Sequence, residues 1–347
     1  MVRSRHTLVA VALVWVVGLG LAGVPAFGRD VKLAVRPRKA TAEVGKYALF
    51  PPAASLTEGD AVPLYEKAAK VLPSKALEDQ VQKWLKMPVD QLPIDPVGEA
   101  LEQYVESLKC AARAIKCREC KWPVPVSESL MTNLQQYRRL VSAIRLWARY
   151  EIAQENYEGA VLAMQTGLGM GKHLMQGPTL AEYLVGVSVA NTVCRDVEEF
   201  VQAGEAPNLY AALAALPKPF TDVDRLIEAD KKAIGSEPPA GMTRAQFESD
   251  LGRLPKQYER VRIGAKRLET DLAALQCVEA IRSYAASHGG QLPQTLGEIT
   301  EVAVPNDPMS GAAFRYTRTG ATAVLESATP AGGTAKDVTR YEITVKS

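Results

Sequence analysis

The residues whose chemistry and spacing first draw notice are cysteines and histidines. The chain has five cysteines and three histidines. Cys117-Arg-Glu-Cys120 is a C-x-x-C pair. Redox enzymes place such a pair at a helix N-terminus, where the dipole lowers the thiol pKa. Here it trails a helical pattern and precedes Trp122-Pro123, which is the wrong end. The expectation is therefore a structural disulfide between Cys117 and Cys120. Zinc is disfavoured, because Cys110, Cys117 and Cys120 have no evident fourth ligand. Cys110 and Cys117 lie two helical turns apart, about 10 Å, too far to bond to each other. Cys194 and Cys277 read as free thiols of the core.

Past the N-terminal segment only His173 and His288 remain. His173 falls in a Gly/Met-rich helical stretch and reads as packed or semi-exposed. His288 sits at a helix end beside Gly289, where partial positive charge suits the dipole. Neither lies in a nucleophile motif, and the sequence contains no G-x-S-x-G, H-E-x-x-H, P-loop or dinucleotide fingerprint. Gly167-Leu-Gly-Met-Gly171-Lys172 lacks the spacing and the upstream strand of a phosphate loop, so helix packing is its reading. Glu66, Glu99, Glu128 and the Glu198-Glu199 pair read as solvated helix charges. No catalytic residue, cofactor site or metal site is expected.

The elements that must position these residues follow from composition and period. The chain has 347 residues, 47% of them hydrophobic and 23% charged, enough for roughly two domains. Its net charge of +2 argues against nucleic acid, which demands a basic excess. Arg3, Arg5 and His6 precede an uncharged apolar run from Leu8 to Val24, and Ala26-Phe27-Gly28 supplies small residues for signal peptidase. Residues 1–28 are thus expected to be a signal peptide with cleavage near Gly28. Membrane contact is expected only through an uncleaved leader, since the run is near the minimum length of a span.

Residues 29–60 read as an extended arm or linker carrying Pro37, Pro51 and Pro52. Residues 61–235 read as a helical body, with helices over Val62–Leu72, Ala76–Met87, Asp95–Lys116, Ser127–Gln154, Asn156–Gln176, Thr179–Ala203, Asn208–Leu216 and Asp222–Ile234. On the fourth of these, Leu130, Leu134, Tyr137, Val141, Ile144 and Ala148 share one face. Small residues crowd the next two, which suits close helix approach at the cost glycine carries in a helix. Residues 236–347 read as one long helix, Thr243–Ser287, interrupted at Pro255. After it come about three antiparallel strands near Phe314–Arg318, Thr322–Leu325 and Tyr341–Val345. The fold class is mainly α with a small C-terminal α+β module.

Leu146, Tyr150, Tyr157, Ala160 and Pro178 fall where a tetratricopeptide-type helix pair places them, and the stretch from Leu146 to Pro178 resembles one such repeat. The resemblance implies stacked helices with an extended binding surface. Ala280-Ile-Arg-Ser-Tyr284, Gly289-Gly290, Leu292-Pro293, Asp307-Pro308-Met-Ser-Gly311 and Phe314-Arg-Tyr316 resemble the globular end of type II secretion pseudopilins. That family's hydrophobic assembly helix is missing just before the domain. Some of its members bind calcium near the sheet loops, and Asn306, Asp307 and Ser310 would be the donors here, although turn chemistry explains all three. As a whole the chain is similar to uncharacterised exported bacterial proteins joining such a body to such a tail. The expected function is an exported, non-enzymatic protein of the periplasm, envelope or extracellular space, presenting a helical surface to a protein partner. The alternatives are a component of type II secretion or pilus-like machinery, and a hydrolase without a recognisable motif.

Overall fold

A computed structural model describes residues 29–41, 45–123, 127–234, 237–238, 242–331, 334 and 338–346. The expected leader lies outside them. The chain is mainly helical, with 59% of residues in helices and a small sheet of four strands. Strand β1 (Arg29–Val35) and the short β2 (Thr57–Asp60) precede α1 (Val62–Lys70), α2 (Lys75–Trp84) and α3 (Ile94–Ala114). Strand β3 (Cys117–Glu119) leads to α4 (Ser127–Ala153), α5 (Tyr157–Met175), α6 (Leu180–Gln202), α7 (Tyr210–Ala214) and α8 (Val223–Ala233). The 44-residue α9 (Arg244–Ser287) then feeds β4 (Arg315–Thr319), β5 (Thr322–Glu326) and β6 (Thr339–Val345).

Local chemistry sets the helix starts. Asn156 accepts from the Gly159 N–H at the head of α5, and Asp222 accepts from the Arg225 N–H at the head of α8. Thr179 with Glu182 and Thr243 with Gln246 form reciprocal capping boxes on α6 and α9. The helix does not break at Pro255: α9 runs through it. Pro255 is exposed, so its ring meets no packed neighbour and the helix continues through it.

The 29–60 segment is not a free linker along its first seven residues. Val31, Leu33 and Val35 alternate with polar or small residues, and the strand pairs in parallel with β6, from Arg29 opposite Thr339 to Val35 opposite Val345. The sheet order is β1-β6-β5-β4, with β4, β5 and β6 antiparallel. The expected three-stranded module therefore gains a fourth strand from the opposite end of the chain. A second, two-stranded parallel pairing joins β2 to β3.

Two apolar clusters fill the interior. One gathers α1 to α4, with Tyr65, Trp84, Val97, Tyr104, Leu134 and Leu140. The other runs from Leu33 on β1 through α5, α6 and α9 to Tyr341 and Ile343 on β6. The α5–α6 hairpin is the wall between them. Met170, Leu174, Val185 and Val189 face the first cluster, and Met164, Leu168, Val187 and Val193 face the second. Burial on both sides explains why α5 is apolar around its circumference. It also explains the small residues: a Cβ on Gly186 would stand 2.6 Å from the Gly171 carbonyl oxygen. Gly167 to Gly171 is thus a helix-crossing surface.

Candidate binding groove

Helices α1 and α4 lie side by side over an aromatic floor. Between them is a half-open groove of about 420 Å³ lined by Glu66, Ala69 and Lys70 of α1, Leu72, and Asn133, Gln136, Tyr137 and Arg139 of α4. The helical period does this. Glu66 and Lys70 are one turn apart, as are Asn133 and Tyr137, so each pair stands on one face. Leu134 and Val141, on the same face as Tyr137, are buried beside it in the core. Arg139 is fixed: it pairs with Glu78 at 2.8 Å, and donates to the Gln136 side chain at 2.9 Å and to the Pro73 carbonyl at 2.6 Å. Glu66, Lys70 and Asn133 make no hydrogen bond or ion pair to any described residue, so the rim offers a carboxylate, an ammonium and a carboxamide to a partner.

Tyr137 is 4% exposed and forms the floor. Its ring meets Trp122 edge-on at 5.4 Å and Tyr65 at 6.4 Å, while Tyr65 stacks on Trp122 at 5.7 Å. Below them the Tyr65 hydroxyl is 2.9 Å from His173 Nδ1, and Trp122 Nε1 donates to the His173 carbonyl at 2.7 Å. Burial drives the His173 pKa down to about 4, offset only in part by Asp60. The imidazole is neutral at pH 7. Its described partners are aromatic: the Tyr65 hydroxyl at Nδ1 and the Trp122 indole at the His173 carbonyl.

Burial raises the Cys120 and Cys117 pKa values, with Asp60 adding to the effect. Both thiols are free, and the disulfide expected between them is not formed. Cys117 to Glu119 runs as an extended strand and Cys120 follows it. Cys110, Cys194 and Cys277 are buried free thiols as well.

The reading of Glu198 and Glu199 as solvated charges is overturned. Glu198 is 5% exposed. It pairs with Arg29 and accepts from the Tyr341 hydroxyl at 2.7 Å. Glu199 pairs with Arg149 at 2.7 Å, and Arg145 holds Asp196 through two hydrogen bonds to Oδ1 and one to Oδ2. Asp271 accepts from the Thr339 hydroxyl at 2.7 Å. Burial raises the pKa of Asp196, Glu198 and Asp271, with the neighbouring arginines pulling the other way. These carboxylates are consumed by arginines from other elements and tie sheet to helices. Glu66 and Glu99 stay at the surface, and the side chain of Glu128 lies outside the described residues.

Asp307 is 1% exposed, and its two oxygens accept from the Met309 and Ala328 N–H groups and from the Thr270 and Ser310 hydroxyls. That is a filled turn. Among the described residues no group of three or more His, Cys, Asp or Glu is placed to hold a metal ion. His288 caps α9, stacked on Tyr284 at 3.8 Å and 3.4 Å from Glu301.

Sequence reasoning put Tyr137 on the core face of its helix and missed the groove, because Glu66 and Asn133 belong to helices 60-odd residues apart. Arg29 carried a signal that was not used: it opens an alternating apolar stretch. The class that fold and site define is a mainly helical protein with a four-stranded mixed sheet and a groove in its helical part. No family model matches the chain, and no curated protein or solved structure matches it significantly.

Proposed function

We propose that the protein is exported and acts without catalysis, holding a segment of another protein in the groove between α1 and α4. The observation that carries this reading is the groove itself. It joins an aromatic and aliphatic floor (Tyr137, Ala69, Leu72) to rim groups of three kinds (Glu66, Lys70, Asn133) that pair with no described residue. A carboxamide both donates and accepts, as a peptide bond does, so Asn133 and Gln136 suit a polypeptide main chain. Apolar ground with a few placed polar groups is what recognition needs. The sequence supports export through the charged start, apolar run and small residues of the leader.

Assembly into a pilus-like fibre is the weaker reading. The first half of α9 exposes Arg253, Lys256, Glu259 and Arg260, a solvated face.

The test is capture from envelope extract with a photo-crosslinking residue at Asn133, run beside the same crosslinker in a Glu66→Lys/Lys70→Glu rim variant. A discrete crosslinked protein, lost in the rim variant while the fold is retained, is the expected result. No crosslinked protein, or one indifferent to the rim variant, would refute the groove as the binding surface.

A further inference from the structure

The most unusual side chain outside the groove is Arg29. It opens β1, directly after the small residues that mark the expected end of the leader. Its N–H donates to the Val338 carbonyl at 3.0 Å. Its side chain is 16% exposed and enters between two carboxylates that are themselves only 6% exposed. One guanidinium nitrogen pairs with Glu198 of α6, and the other lies 3.7 Å from Asp271 Oδ2 of α9. Tyr341 of β6 completes the ring by donating to Glu198. Arg29 thus joins β1 to α6, α9 and, through Tyr341, β6.

Every one of these partners follows it by a long stretch of chain. Glu198 is 169 residues downstream, and β6 is the last strand. A chain crossing a membrane from its N-terminus cannot dock β1 until β6 has arrived. Until then the bonds before Arg29 lie in an undocked segment, which is the state a peptidase needs. After docking, the Arg29 side chain is only 16% exposed and β1 is paired into the formed sheet.

We infer that Arg29 is the N-terminal latch of the mature chain: the leader is cut at the bonds just before it while β1 is undocked, and its guanidinium then enters between Glu198 and Asp271 and closes the sheet. This rests on the export reading above. A cut beyond Arg29 would leave two buried carboxylates without their counter-ion, a costly arrangement. Acid weakens the need for the latch, because protonated carboxyls require no cation. The charged or titratable groups facing Arg29 are Glu198, Cys194 and Arg195 of α6, Asp271 of α9 and Tyr341 of β6, with Arg267 beside Asp271.

Two measurements test this. The first is intact mass and N-terminal sequencing of the exported protein. A first residue at Phe27, Gly28 or Arg29 is expected, and a terminus beyond Arg29 overturns the inference. Recovery of the whole chain in the cytosol with its leader would instead overturn the export reading, and the second measurement then decides the latch alone. It compares leaderless protein released from a tag to begin at Arg29 or at Asp30. The Asp30 form should melt lower by about 5 °C or more at pH 7, with the gap narrowing at pH 4. Equal melting temperatures overturn the latch. If the Asp30 form does not fold, Arg29→Lys and Arg29→Gln decide: lysine close to wild type with glutamine well below it supports the latch, and equality of the two overturns it.

Discussion

At the scale of single residues, a buried ion pair and a buried imidazole have consequences that can be measured. Arg282 and Glu279 are both fully buried and pair at 2.9 Å. Arg282 also donates to the Arg36 carbonyl at 3.1 Å and the Ala206 carbonyl at 3.1 Å. Replacing it by methionine strands the Glu279 carboxylate and two carbonyls. Unpairing a buried charge costs about 3–5 kcal/mol, so Arg282→Met should shift the urea midpoint down by that much stability. Glu279→Gln/Arg282→Met should recover part of it, and a double variant no better than the single would contradict this account. His173 gives the pH dependence. Its folded pKa is about 4, below the unfolded value of about 6.5. Between those values the unfolded chain binds the extra proton. Its contribution to stability is therefore full above about pH 6.5 and falls as the pH drops toward 4, by up to about 3 kcal/mol. The slope of unfolding free energy against pH in that window should flatten in His173→Gln. An unchanged slope would show that other groups carry it.

At the scale of elements, the α5–α6 crossing and the long α9 make opposite demands on glycine. A Cβ on Gly186 would lie 2.6 Å from the Gly171 oxygen and 2.7 Å from the Met175 nitrogen, both main-chain atoms. The helices would have to separate, so Gly186→Ala should destabilise the fold by about 1–3 kcal/mol. Gly252 lies within α9 with nothing within 4 Å of a built Cβ. Gly252→Ala should stabilise by about 0.5–1 kcal/mol, through helix propensity and the unfolded chain's entropy. Calorimetry on the two variants reads both signs, and a stabilising Gly186→Ala would mean the crossing is looser than described. The small-residue pattern of both helices was legible in the sequence because close approach needs absent side chains. The continuity of α9 through Pro255 was not, since the cost of proline depends on which way its helix face points.

At the scale of the whole molecule, strands from either side of the helical body, β1 and β6, close one sheet. Leu33 of β1 is 1% exposed and sits in the same apolar cluster as Cys277 of α9 and Ile343 of β6. Leu33→Ala should cost about 2–5 kcal/mol. Amides of β1, β6 and the second half of α9 should then exchange faster together, because one core serves all three. Faster exchange confined to β1 would mean that the strand is peripheral to the core. The tail called a separate module from its sequence shares that core with α5 and α6.

Periodicity by itself determined the helices, the closing strands and the predominance of α structure, because amphipathic spacing is a local property written every three to four residues or every two. Composition likewise set the charge balance, and the leader motif set the expectation of export. Only the tertiary structure decided that 29–35 is a strand, that Cys117 and Cys120 stand as free thiols, that Glu198 is buried, and that Glu66 faces Asn133 across a groove. Each of those depends on partners between three and more than 300 residues away. The free energy of an ion pair or a shared core is set by distance in space, which spacing along the chain does not encode.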